Sequence, residues 1–147
     1  MNMDRVKFDA FLKTYSFEKY ADIVSKEKHA YFDNKQDKNA NSGYVYIWVE
    51  KEKSKYTIVY VGKAGKTMRK RCNEQVAGFR GGSKIGKIHS QKILKGIESG
   101  KRYEVYARKS KVGTIVGESE ISFCNVEEIA FIKKLNKFNP LWNSIKT

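Results

Sequence analysis

Acidic side chains are scarce in this chain: 16 Asp and Glu stand against 30 Lys and Arg, a formal charge of +14 over 147 residues. A domain so cationic repels itself unless a polyanion lies opposite, and nucleic acid is the commonest such partner. Cysteine is also sparse. Cys72 and Cys124 stand alone, without CxxC or Cys/His ligand spacing, which argues against a disulfide framework and a zinc site and points to a reducing, cytoplasmic setting. No apolar run reaches about 18 residues, and no apolar segment follows the charged N-terminus, so neither a membrane span nor a membrane partner is expected. Repeats and low-complexity segments are missing too.

What is present is enough apolar matter for a core. Hydrophobic residues make up 40% and aromatics 13%, too much for a disordered chain. The length suits one domain over residues 1–147. Residues 3–32 carry Val6, Phe8, Phe11, Leu12, Tyr15, Phe17, Tyr20, Ile23 and Val24 at mostly helical spacing, which predicts one or two N-terminal helices. The polar run Asp33 to Ser42 completes this extension (1–42) as a loop.

The period then changes. Gly43 to Val49 and Tyr56 to Val61 are β-branched and aromatic runs on either side of EKEKSK, a hairpin signature. Helices are predicted over 67–76, with Thr67 as a cap, and over 83–99, closed by Gly100. Arg102 to Arg108 alternates as a third strand, 112–123 holds room for a short one, and 126–138 is a helix ended by Asn139-Pro140. The fold class expected is α/β (α+β): a small antiparallel three-stranded sheet flanked by helices, with residues 43–143 as the core.

Gly62-Lys63-Ala64-Gly65-Lys66-Thr67 contains the end of a phosphate-binding P-loop, but the required earlier glycine is replaced by Tyr60. That spacing rules against nucleotide binding. The better pattern takes the strands together. GYVY ends at Tyr46 and VYVG surrounds Tyr60, so two tyrosines fall on neighbouring strands. Arg71 follows on the next helix, Glu128 opens EIAFIKKLN, and Asn143 closes NPLWN.

In order and context these residues resemble the GIY-YIG nuclease superfamily, over residues 43–143. Within it, VYVGKA, EVYARKS and FNPLWN look most like the small phage-encoded endonuclease II type, with related restriction endonucleases as cousins. The resemblance implies a DNA endonuclease that hydrolyses phosphodiester bonds with Mg²⁺ or Mn²⁺, on double-stranded DNA, leaving 3′-hydroxyl and 5′-phosphate ends. It also implies that Asn143 orients groups in the site; the plainer reading of that residue is a turn or cap.

The residue types suit that chemistry, which needs an activated water, a Lewis acid and cations for the growing negative charge. Tyr46 is the expected base, provided that a nearby cation lowers its pKa, and Tyr60 helps to position groups. Arg71 flanks the apolar stripe of Met68, Cys72 and Val76, so its guanidinium points toward the hairpin and is placed to clamp a phosphate. Lys63 is a second candidate for a phosphate contact or for lowering a tyrosine pKa.

Helical geometry sets Glu128 between Ile132 and Leu135 and leaves Glu127 exposed, so Glu128 is the expected metal ligand. One carboxylate suits a hydrated Mg²⁺. Lys66, Arg69 and Lys70 are candidate DNA contacts, and so is His89, because related nucleases carry a similar HS pair.

One departure stands out. The family often has His or Tyr one turn after the arginine, and here that position is Gln75, which accepts no proton at neutral pH. A catalytically weak or inactive DNA-binding module of the same fold is therefore the alternative, and an RNA-directed protein a third reading. A monomer would nick one strand at a time, so double-strand breaks would call for a homo-oligomer.

Overall fold

The computed structural model describes residues 2–36, 40–114, 116–117 and 119–143. Helix α1 (Arg5–Tyr15) starts at Asp4, whose side chain accepts from the Lys7 N–H. It ends at Ser16 in the left-handed region. Strands β1 (Glu18–Lys26) and β2 (His29–Asp33) then form a hairpin.

The expected pair of N-terminal helices is thus corrected to one helix and a hairpin. Phe17, Tyr20 and Ile23 stand three apart, a helical interval, but a register shift between Lys19 and Ala21 breaks the strand alternation and disguises β1.

Strands β3 (Tyr44–Glu52) and β4 (Lys55–Ala64) pair closely, and only Lys53 and Ser54 separate them. The charged stretch read as a connection is mostly strand. Helix α2 (Met68–Ala77) is capped by Thr67, whose hydroxyl accepts from the Lys70 N–H, as the sequence predicts. A π-turn (Gly78–Gly82) leads into α3 (Lys84–Glu98), capped by Ser83. Strand β5 (Arg102–Lys109) follows, then a short hairpin of β6 (Val112–Thr114) and β7 (Glu120–Ser122), then α4 (Cys124–Leu135). Parts of the loop predicted at 33–42 and of the segment 112–123 lie outside the described residues.

The sheet has five strands in the order β2-β1-β5-β3-β4, every pair antiparallel. The three-stranded expectation is corrected for the same reason as the helices: the N-terminal hairpin completes the sheet on β5.

One face carries Tyr20, Phe32, Tyr46, Trp48 and Tyr103 with Met68, Cys72 and Ile93 from α2 and α3. The other carries Val45, Ile47, Ile58, Val61 and Tyr106 with Phe8 from α1 and Phe131 and Leu135 from α4. Phe8 stacks on Tyr56 at 4.6 Å and meets Tyr106 edge-on. Both cysteines are buried free thiols, and burial pushes Cys72 up to about 12. Among the described residues no helix is long and apolar enough to cross a membrane.

Because β1 and β2 complete the sheet, residues 43–147 expressed alone would expose one side of β5 and the buried side of Trp48. That fragment is expected to lack the cooperative thermal transition of the full chain in circular dichroism. A fragment melting like the full chain would refute the dependence.

Candidate active site

Strand alternation alone would not put both tyrosines on one face. Tyr56 and Ile58 pack on the α1/α4 face, so simple alternation would send Tyr60 after them. A bulge intervenes: Trp48 pairs with Tyr60 while the adjacent Val49 pairs with Ile58, leaving Val59 as the extra residue. Tyr60 is thereby turned to the α2/α3 face. Its ring lies 6.2 Å from that of Tyr46 and 4.3 Å from that of Trp48.

Tyr46 is 1% exposed and pairs directly with Gly62. A Cβ at Gly62 would collide with the Tyr46 ring, so the glycine is required by close approach.

The Tyr46 hydroxyl oxygen accepts from Arg71 Nε at 3.2 Å and from Gln75 Nε2 at 2.7 Å. Both donors come from α2 and lie one turn apart, as Thr67 capping and the buried Met68 and Cys72 dictate. Tyr60 lies beside Tyr46, its ring 6.2 Å away, with Arg71 within electrostatic reach. Arg71 Nη1 also faces Glu74 at 3.5 Å. Beside it a cleft of about 200 Å³ is lined by Gly65, Lys66, Thr67, Lys70, Arg71 and Glu74. Lys66, Lys70 and Arg69 are all exposed.

Burial pushes the Tyr46 phenol well above its ordinary value, with Tyr60 adding to the effect and Arg71 only partly opposing it. The expected cation is present, but desolvation outweighs it. This corrects the reading of Tyr46 as a phenol with a lowered pKa. Burial likewise raises Tyr60; Arg71 opposes this, and the Glu128 carboxylate adds to it. Glu128, on α4, thus lies within electrostatic reach of Tyr60. Among the described residues Glu128 makes no hydrogen bond or ion pair.

The helical-wheel reading of Glu127 is corrected. Its side chain is only 14% exposed; it accepts from the Lys111 N–H at 3.0 Å and pairs with Arg108 at 3.6 Å. The wheel shows no neighbours from other elements, and here β5 and the β5–β6 connection supply them.

Lys63 is corrected as well. It sits on the opposite face from the tyrosines, beside Val45's position, and its ammonium binds the Asn125 side chain on α4.

His89 is no surface contact. It is 5% exposed, with its ring 5.1 Å from Tyr60, 5.5 Å from Trp48 and 5.9 Å from Trp142. Burial holds its imidazole below the ordinary value of 6.5, against a backbone hydrogen bond with Trp142.

Asn143 clamps an edge. Its Oδ1 accepts from the Val61 N–H at 2.9 Å and its Nδ2 donates to the Val61 carbonyl at 2.6 Å. Among the described residues no strand pairs with β4 on that side beyond the single Met3–Tyr56 bridge, and the amide stands in for one residue of a further strand. Asn143 therefore acts on the backbone next to Tyr60 rather than on the phenols. The sequence reading passes over the Gln75 contact, the Trp48–His89–Trp142 backing of Tyr60 and the Val59 bulge. Gln75 was legible, standing one turn after Arg71; the bulge leaves no trace in residue type.

Among the described residues no three His, Cys, Asp or Glu side chains gather as a metal cage. The Glu128 carboxylate, which makes no hydrogen bond or ion pair among the described residues, fits a hydrated Mg²⁺ ion that keeps most of its waters.

Two phenols and a guanidinium lie together on the α2/α3 face of the hairpin, in an α/β fold similar to that of two solved structures. Among solved structures, a mutant of bacteriophage T4 EndoII aligns with a TM-score of 0.67 at 24% identity, covering 91% of this chain and 96% of that one. The restriction endonuclease HPY188I, solved in complex with product DNA, aligns with a TM-score of 0.53 at 21% identity, covering 93% and 82%. Neither a protein-family model nor a curated protein matches the sequence.

Two measurements test this geometry. Asn143→Ala strips Val61 of both partners and is expected to cost about 1–3 kcal/mol in urea unfolding; an unchanged midpoint would show the clamp to be idle. For His89 the folded-state pKa is depressed, so the unfolded chain binds the proton more readily. The stability due to the neutral ring is complete above 6.5 and is lost as the pH falls from there through the depressed folded value. His89→Leu should flatten the fall in melting temperature over that interval, and an equally steep fall in the variant would assign the acid sensitivity elsewhere.

Proposed function

We propose that this protein is a Mg²⁺-dependent DNA endonuclease that hydrolyses phosphodiester bonds by water attack on double-stranded DNA. The observation that supports the reading is the gathering of Tyr46, Tyr60 and Arg71 on one face of the β3–β4 hairpin, with Glu128 within electrostatic reach of Tyr60. The fold likeness to EndoII and to a restriction endonuclease solved with product DNA, together with the charge of +14, supports it.

In this reading Arg71 faces the phosphate. Its Nε is engaged by Tyr46 while the rest of the guanidinium borders the cleft, aimed at the negative charge that grows on the non-bridging oxygens. Both phenols are protonated in the free protein, so they orient the attacking water through hydrogen bonds and do not begin as proton acceptors. Glu128 would hold the Mg²⁺ ion, which supplies positive charge to the phosphate and to nearby oxygens when bound. Lys66, Arg69 and Lys70 contact the DNA backbone around the cleft.

One observation favours the second reading, a binding module without catalysis. Gln75 occupies the Tyr46 oxygen with a neutral amide and brings no base to the site.

Plasmid cleavage separates the two. With Mg²⁺ the wild type is expected to nick supercoiled DNA, EDTA to stop it, and Arg71→Ala and Glu128→Ala each to slow it by about 10²-fold or more. Duplex binding without nicks would establish the binding module, and undiminished cleavage by Glu128→Ala would remove the assigned metal ligand.

A further inference from the structure

Both helices over the tyrosine-bearing face begin with cations, where a helix end favours anions. Helix α2 opens with Arg69, Lys70 and Arg71, helix α3 carries Lys84 and Lys87 at its start, and neither has an acidic residue in its first turn. The N-terminal end of a helix already carries about half a positive charge, so these residues oppose stability unless an anion sits nearby. At α2 the cleft belongs to the site described above. At α3 a second cleft, of about 430 Å³, opens between the β1–β2 turn, the π-turn and α3. Its cations are Lys28, Arg80 and Lys87, against one carboxylate, Glu27. Among the described residues none of the three cations is in an ion pair.

The cleft is built. Arg80 Nε donates to Nε2 of buried His29 at 3.2 Å, and His29 Nδ1 lies 2.8 Å from the Ala30 carbonyl. The Ala30 N–H donates to Ser90 Oγ on α3 at 2.9 Å. Phe79 anchors the Gly78–Gly82 turn between Phe32 and Trp48, and the chain kinks next to it at Gly81, φ 119°. The two-residue β1–β2 turn holds Glu27 at φ 53° and Lys28 at φ 67°, conformations that Asn and Gly adopt most easily. A lysine kept in the left-handed region points to a local need that offsets the strain.

We infer that this cleft is a second backbone contact for duplex DNA, gripping the same molecule as the Arg71 site. Arg80 follows Arg71 by nine residues, so both guanidiniums are carried on one stretch of chain running from α2 into the turn before α3. The identity of the polyanion rests on the nuclease reading; the cleft itself does not.

The test is equilibrium binding of a fluorescent duplex of about 20 base pairs, without metal, as a function of salt, because each lost phosphate contact lowers the slope of log K on log salt by about 0.9. Arg80→Ala/Lys87→Ala is expected to lower it by about two. Lys28→Gly is expected to lower it by about one without reducing the melting temperature, since glycine relieves the turn. It keeps the test open should the Arg80 variant lose its fold. Lys7→Ala/Lys13→Ala, an equal loss of charge on α1 across the sheet, is expected to leave the slope unchanged.

A control pair that lowers the slope as much as the cleft pair would overturn the inference, and so would an unchanged slope in Lys28→Gly. A wild type that nicks plasmid while the cleft variants bind like it removes the cleft and keeps the nuclease. Variants that lose slope in a protein that never nicks keep the cleft and remove the nuclease. A wild type that does not bind duplex removes both.

Discussion

A tyrosine hydroxyl buried in the middle of a sheet must have hydrogen-bond partners, and most of the site follows from how Tyr46 finds them. The partners are Arg71 and Gln75, one turn apart on α2, so the helix can settle on the sheet in only one rotation. The ring needs room, and the directly paired residue on β4 is the glycine that leaves it. Thr67 caps α2 three residues after β4 ends at Ala64, which brings Arg71 over the hairpin with little chain to spare. Each of these local choices is ordinary; together they fix a guanidinium within reach of two phenols.

The second constraint is that the strand carrying Tyr60 is an edge. An unpaired edge is open to other strands and loosely held, which is unsuited to a residue that must be positioned. The segment after α4 resolves this by crossing the edge. Leu141 packs into the α1/α4 core, Trp142 packs against Trp48, His89 and Tyr103 on the other face, and Asn143 binds the Val61 backbone between them. The same crossing ties α4, and with it Glu128, to the backbone beside Tyr60. The ion pair of Glu127 with Arg108, itself bonded to the Tyr15 carbonyl, secures α4 from the other side.

The legible part of the sequence was the part governed by neighbours along the chain. The β3–β4 hairpin, the Thr67 and Ser83 starts and the inward turn of Arg71 all follow from residue type at short spacing. What was hidden came from contacts across the fold. Glu127 and Glu128 differ because Arg108 and the Lys111 amide reach only the first, and His89 is buried because aromatic rings from β3, β4 and the C-terminal segment close over it. A bulge hid Tyr60's face, and an irregular register hid β1 behind a helical interval. Lys63 looked like a companion of the tyrosines by sequence adjacency, although the strand's alternation sends it to the far side.

The raised pKa of both phenols bears on the order of events at such a site. Bringing a phosphate against Arg71 adds negative charge beside Tyr46 and Tyr60, which favours their protonated forms still further. Gln75 supplies a hydrogen-bond donor and no compensating charge, so α2 does nothing to reverse the shift beyond what Arg71 already does. Glu128 acts in the same direction on Tyr60 as long as its own charge is unmatched. A cation held at Glu128 would act on Tyr60 in the opposite sense to a bound phosphate, and without such a cation both phenols stay protonated.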